Sequence, residues 1–210
     1  MESEVTGDEA QDIYSTNLTR AIQGTQYGTA VHKIMELLSF SQELMYEKND
    51  ENSDKRLYAA ICREWEGWIK DRFIAKEDIQ CVSKSRITEF FKTSLSKRMI
   101  NANIRNELYR EQPFVLGLSA NEFNKNQDKN EMLDKETVLV QGVIDVFFYD
   151  EDNEIVLVDY KTDKVSMESE LIERYKAQMD YYKMALERIT GTKVKECYLY
   201  SFSLKKEILV

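Results

Sequence analysis

Three ionisable side chains in the second half of the chain stand where charge is costly. Asp145 lies inside the apolar run Val143–Tyr149, and Asp159 ends the apolar run Ile155–Val158. A carboxylate in either setting is expensive unless it is protonated, paired or bound to a metal ion. Lys161 follows Asp159 by two residues, so an extended backbone points both side chains the same way. The acidic stretch Asp150–Asn153 between the two runs predicts a turn, and hence an antiparallel pair with Asp145 opposite or diagonal to Asp159. Two oxygen ligands and one ammonium then converge at a strand end. That grouping suits metal-assisted phosphodiester hydrolysis, in which a divalent cation polarises the phosphate and activates water while the lysine stabilises charge or orients the nucleophile. On periodicity alone a structural account stays open: Asp159 and Lys161 as a surface ion pair, Asp145 as the cap of an irregular strand.

The elements that must position these groups are read from the hydrophobic period. Val31, Ile34, Met35, Leu38 and Met45 recur at helical spacing and predict a helix over Thr29–Tyr46. Leu57, Ile61, Trp65, Trp68 and Ile69 predict a second over Asp54–Phe73, a short one covers Lys76–Cys81, and Ile87, Phe90, Phe91 and Leu95 predict another over Ser85–Ile100. After Asn101 the period changes. A strand is expected in Glu111–Leu118, interrupted early by Pro113, and stronger ones in Thr137–Tyr149 and Glu154–Tyr160. Glu168–Ile189 reads as a long helix stopped near Gly191, and Val194–Phe202 as a strand, with a further short strand open at the end. Asn121–Glu136 is polar and reads as a long hairpin connection or exposed excursion. The expected organisation is a single domain: a loose arm over 1–24, a mainly helical part over 25–103, and an α/β catalytic core over 104–210.

Composition bounds the function classes. Of 210 residues, 42% are hydrophobic and 32% charged, which is ordinary for a folded water-soluble protein. No run approaches the roughly twenty apolar residues of a membrane span, and the polar, acidic start shows no secretory signal, so a cytoplasmic location is expected. Cys62, Cys81 and Cys197 are odd in number and widely spaced, which suits free thiols and gives no zinc or iron–sulfur pattern. The net charge of -9 argues mildly against a simple nucleic-acid coat protein. Its distribution is uneven: seven basic against two acidic residues in 84–110, ten acidic against three basic in 121–154. Lys84, Arg86, Lys92, Lys97, Arg98, Arg105 and Arg110 are therefore candidate phosphate contacts, with a merely solvated helical face as the other reading.

The local sequences around the carboxylates carry a resemblance. Gln141-Gly142-Val143-Ile144-Asp145, followed by Val158-Asp159-Tyr160-Lys161-Thr162-Asp163, resembles the RecB-type branch of the PD-(D/E)xK nucleases. The family's first carboxylate falls on Asp145, the second on Asp159 and its lysine on Lys161. The opening proline is absent, since Ile144 precedes Asp145, a departure usual in that branch. Gly28-Thr29-Ala30-Val31-His32 resembles the family's helix opening, with its histidine on His32, the only one in the chain. Without the resemblance a structural histidine is equally admissible. Arg174 to Tyr182 resembles the downstream helix motif: Gln178 and Tyr182, four apart and on one helix face, with Tyr175, would shape the DNA path or support the centre. Tyr182 as a core-edge aromatic remains the other reading. Glu111 fits the glutamate that enters the first core strand, where it would assist metal or water, with a turn or surface ion pair as the alternative.

The resemblance implies a restriction-endonuclease-like mixed β-sheet core with a helical amino-terminal addition. It implies DNA hydrolysis with Mg²⁺, or Mn²⁺ as a substitute, held by His32, Asp145, Asp159 and the Tyr160 carbonyl, with Lys161 and Glu111 as further catalytic groups. Within the family the likeness is to the carboxy-terminal nuclease domain of AddA-type helicase–nuclease subunits. That implies helicase domains not present in these 210 residues, an AddB-like partner, and a bacterial protein at the nucleoid when acting. The absent iron–sulfur cysteine pattern favours the AddA type over the AddB type. A non-catalytic module for binding DNA ends or for assembly is the alternative function.

Overall fold

The computed structural model describes residues 24–119 and 137–210. Residues 1–23 of the arm expected over 1–24, and the polar connection Asn121–Glu136, lie outside the described residues, while Gly24 already belongs to the first helix. Helix α1 runs over 24–37 and buries Val31, Ile34 and Met35. It is shorter than the apolar spacing predicts, because buried Phe40 takes a left-handed backbone (φ 47°). The Ser39 amide and hydroxyl both bond the Glu64 carboxylate at 2.9 and 2.6 Å, and the chain turns into a 3₁₀ turn at Gln42–Leu44. Helices α2 (Ser53–Lys70), α3 (Lys76–Ile79), α4 (Lys84–Phe91) and α5 (Ser94–Ile104) follow. The single helix expected over Ser85–Ile100 is thus two. Thr93 breaks it: its hydroxyl donates to the Phe90 carbonyl at 2.8 Å and accepts from the Ser96 amide at 3.2 Å, capping α5.

Strands β1 (Leu108–Ser119), β2 (Thr137–Tyr149), β3 (Ile155–Lys161), β4 (Val194–Ser201) and β5 (Lys206–Leu209) lie in that order in one mixed sheet. The β3–β4 pair is parallel and the others antiparallel. Helix α6 (Glu168–Thr190) makes the crossover that parallel pairing requires, and ends at Gly191 in the left-handed conformation (φ 70°). Strand β1 begins before the expected Glu111 and runs through Pro113. One face of the sheet packs on α1–α5 through Val146, Phe148, Val158, Tyr160 and Tyr200; the other packs on α6 through Phe114, Leu116, Leu157 and Leu199. Mixed sheet and flanking helices together bear out the expected α/β restriction-endonuclease-like class.

The alternation of faces changes phase at one place. Along β2, Ile144 packs on the α6 side, then Val146 and Phe148 pack on the α1–α5 side with Phe147 turned back to α6. Opposite this step, Glu111 of β1 has a left-handed backbone (φ 49°), between the pairs Arg110 with Val146 and Gln112 with Ile144. A non-glycine residue held there costs about 1–3 kcal/mol. Asp145 sits at the switch.

Candidate active site

The strands deliver the carboxylates, and the helices on the two faces deliver their partners. Asp145 lies one residue beyond the last β2–β3 pair, Val146 with Val158, so the register aims it at Asp159. There the ladder ends, and the Tyr160 amide donates instead to Asp145 Oδ2 at 2.8 Å. The other oxygen, Oδ1, stands 3.2 Å from His32 Nδ1, brought in by α1. Ligand-type atoms of His32, Glu111 and Asp145 all lie within 4.8 Å of one another. Asp159, 1% exposed, stands outside this trio, its Oδ2 ion-paired with Lys161 Nζ at 2.6 Å.

Electrostatics follow from this crowding. Burial, then the charge of Asp145, pushes the Asp159 carboxyl up to about 6 against the opposing pull of Lys161. Burial and Asp145 likewise raise Glu111. For His32 burial works downward, but the hydrogen bond and charge of Asp145, with Asp159 and Glu111 behind it, carry the imidazole above its ordinary value. Asp159 and Glu111 are thus both made harder to ionise by Asp145, and the charges of all three carboxylates hold the imidazole. A divalent cation relieves that repulsion, and oxygen atoms with one imidazole suit a hard or borderline ion.

Lys161 is held from the α6 side. Its ammonium donates to Gln178 Oε1 at 3.0 Å and stands 3.8 Å from the centre of the Tyr175 ring. Gln178 in turn donates to the Tyr182 hydroxyl at 2.7 Å, the four-residue spacing setting both on one face of α6. Asp163, two residues beyond Lys161, fixes the Tyr175 hydroxyl at 2.8 Å and pairs with Arg174 at 2.6 Å. Sequence reasoning misses Asp163 as a site residue, although the odd-numbered series 159, 161, 163 announces it.

Two glycines set how closely these parts approach. A Cβ on Gly142 would meet the Phe114 ring at 2.9 Å and Tyr182 at 3.5 Å, so the ring of Phe114 lies across the bare backbone of its cross-strand partner. Phe114 and Tyr182 meet edge to face at 5.5 Å. A Cβ on Gly28 would stand 3.2 Å from the Thr162 hydroxyl, so α1 comes down onto the chain just after Lys161, one turn before His32. Arg110 completes the docking of α1 by donating to the Glu36 and Leu38 carbonyls at that helix's end.

Residues 10–207 match the PD-(D/E)XK nuclease superfamily. The chain belongs to that superfamily. It is 36% identical over 213 residues to the AddA-type polypeptide of the ATP-dependent helicase/nuclease of Clostridium novyi, covering 96% of this chain and 16% of that protein. The corresponding helicase/nuclease polypeptides of Lachnoclostridium phytofermentans (36% identical, 91% of this chain, 15% of theirs) and of Clostridium botulinum strain Okra (37%, 91% and 14%) are similar in the same way. The chain therefore spans about a sixth of the length of these relatives. It is a nuclease domain homologous to AddA-type helicase–nuclease proteins. No helix among the described residues is long and apolar enough to cross a membrane.

Proposed function

We propose that this nuclease domain hydrolyses phosphodiester bonds of DNA with Mg²⁺, Mn²⁺ substituting, within an AddA-type helicase–nuclease complex. The observation that carries the reading is the convergence of Asp145 and Asp159, both buried, with His32, Glu111 and a lysine held at 2.6 Å from Asp159. His32, Asp145 and Asp159 would hold the ion, with the Tyr160 carbonyl beside them and Glu111 as a further oxygen donor. When bound, the ion supplies a polarised phosphate and a water acidic enough to attack near neutral pH.

The residues of the chain do the rest. Lys161 presents a fixed positive charge where a phosphoryl oxygen gains negative charge, and Gln178 with Tyr175 keep it from swinging into solvent. Glu111 faces the same space from β1 and can take a proton from water or steer it, its raised carboxyl being suited to that work. Helix α6 excludes water from Lys161, which strengthens its charge on the substrate. Helicase domains and an AddB-like partner would feed a strand from a double-strand break into this site, in the bacterial cytoplasm, during recombinational repair.

The test is cleavage of labelled single-stranded DNA by the purified chain in Mg²⁺ and in chelator, beside Asp159→Ala. Cleavage that needs metal and disappears in the folded variant is expected. Equal cleavage by Asp159→Ala refutes the assignment, and binding without cleavage in saturating metal identifies an end-binding or assembly module instead.

A further inference from the structure

Most of the basic side chains of 84–110 are already spent inside the molecule. Lys92 pairs with Asp54 and Glu89, Arg98 with Glu196, and Arg105 with Glu107, while Arg110 serves backbone carbonyls. Lys84 lies over the Trp65 ring. Arg86 is different. It has no carboxylate within ion-pair reach among the described residues; its guanidinium rests 6.0 Å from the centre of the Tyr27 ring and reaches the Tyr27 hydroxyl at 3.4 Å. An exposed arginine parked on an aromatic ring keeps its charge and its donors for an outside anion.

Arg86 lines a hollow of about 1190 Å³ together with Lys164, which is also exposed and without an ion-pair partner among the described residues. Ser83, Thr162 and Ser203 contribute hydroxyls to the same hollow. The acid among its described lining, Asp163, is taken by Arg174 and Tyr175 and so offers little repulsion. The hollow begins at Thr162, the residue after Lys161, and shares Gly28 with a second hollow that holds His32 and Glu111. The two hollows therefore adjoin at Gly28, beside His32 and Glu111 of the candidate active site.

We infer that this groove is where the sugar–phosphate backbone of a single nucleic-acid strand lies on one side of the scissile bond, with Arg86 and Lys164 contacting successive phosphates. The inference rests on the nuclease reading above and adds to it the surface that captures substrate. Backbone contacts of this kind give affinity without base sequence, as an end-processing nuclease requires.

Two phosphate contacts make a numerical prediction. For single strands each contact contributes about 0.7 to the slope of log affinity against log salt. Binding of fluorescein-labelled oligothymidylate to the whole chain, in chelator so that it stays intact, is measured across salt concentrations. Arg86→Ala/Lys164→Ala is expected to flatten the slope by about 1.4, Lys164→Ala by about 0.7, and Arg86→Lys not at all. Lys55→Ala/Lys193→Ala, which changes net charge equally at exposed positions elsewhere, is expected to keep the wild-type slope. A slope in the groove double variant equal to wild type, or an equal flattening in the control, overturns the groove, as does absence of binding by wild type. Cleavage in Mg²⁺ is followed separately: wild type that binds as expected yet never cleaves refutes the nuclease reading and leaves the groove standing.

Discussion

Two groups of three ligand-type side chains occur among the described residues, and they differ in what already neutralises them. Asp150, Asp152 and Glu154 crowd the β2–β3 turn within 4.8 Å of one another, as tightly as His32, Glu111 and Asp145. Yet Lys195 stands among the turn acids at 3.0, 2.8 and 3.0 Å, and its ammonium is held well above the ordinary lysine range by those hydrogen bonds. At the strand ends the His32 imidazole serves the two acids of its trio and Lys161 serves Asp159, both partly or largely out of water. Three acids around one ammonium thus make a neutralised surface network in one place, while in the other Asp145 and Glu111 share only an imidazole and Asp159 is buried against Lys161. Burial of Asp145 and Asp159, and the absence of a lysine or arginine paired with Asp145 or Glu111 among the described residues, mark the candidate metal site more than the count of carboxylates does.

Metal binding breaks the comparison most sharply. Mg²⁺ or Mn²⁺ at a hundredfold excess over Kd should stabilise wild type by about 2.7 kcal/mol, which for a chain of this size raises Tm by roughly 5–10 °C. Asp145→Ala should lose that rise, and with it cleavage by about 10³-fold. Asp152→Ala, at the exposed turn, should keep both. A full thermal shift in Asp145→Ala would move the ion elsewhere.

Holding Lys161 is the next largest effect. Tyr175→Leu removes the ring beneath the ammonium while keeping apolar bulk, and kcat should fall about tenfold with KM little changed, the scale of a desolvated cation–π contact. Tyr175→Phe keeps the ring, loses only the Asp163 bond, and should retain most of the rate. Equal losses in the two variants would show that the hydroxyl network matters and the ring does not.

Smaller again is the packing beneath that network, where two glycines of one hairpin can be compared. Gly142→Ala drives a methyl to 2.9 Å from the Phe114 ring, whereas Gly117→Ala meets Thr137 Cγ2 and Leu139 Cδ2 at an ordinary 3.4 and 4.0 Å. The first should cost about 1–3 kcal/mol, a Tm loss of several degrees by calorimetry, and the second close to nothing. Similar melting temperatures would mean that Phe114 swings aside freely and does not brace Tyr182.

How far this contrast is legible in the sequence depends on the kind of signal. Strand β2 matches its expected limits, and α6 and β4 nearly so, because alternating or helical periods extend through them without interruption. The helix break at Thr93 escapes the hydrophobic period because apolar spacing continues across it, the cap being a single hydroxyl. The strained backbone of Glu111 cannot be read from residue type, since nothing in a glutamate announces φ 49°. Asp145 and Asp159 are legible as charges in apolar runs. Their separate allegiances, to His32 and to Lys161, are not, because those depend on where the β2–β3 ladder stops pairing.

The smallest effect tests the neutralised side of the contrast. Lys195→Ala leaves Asp150, Asp152 and Glu154 without their shared cation, but the group is exposed, so solvent and salt screen the repulsion that follows. Thermal stability should drop slightly, less than in Gly142→Ala, and the drop should shrink as salt is raised. Metal-dependent cleavage and the metal-induced rise in Tm should be those of wild type, because the turn lies at the far end of β3 from Asp159. Lys195→Arg should restore the low-salt loss by supplying the charge again. A Lys195→Ala chain that cleaves poorly while melting normally would show that the two acidic groups are coupled through β3, and that the site cannot be understood from its own residues alone.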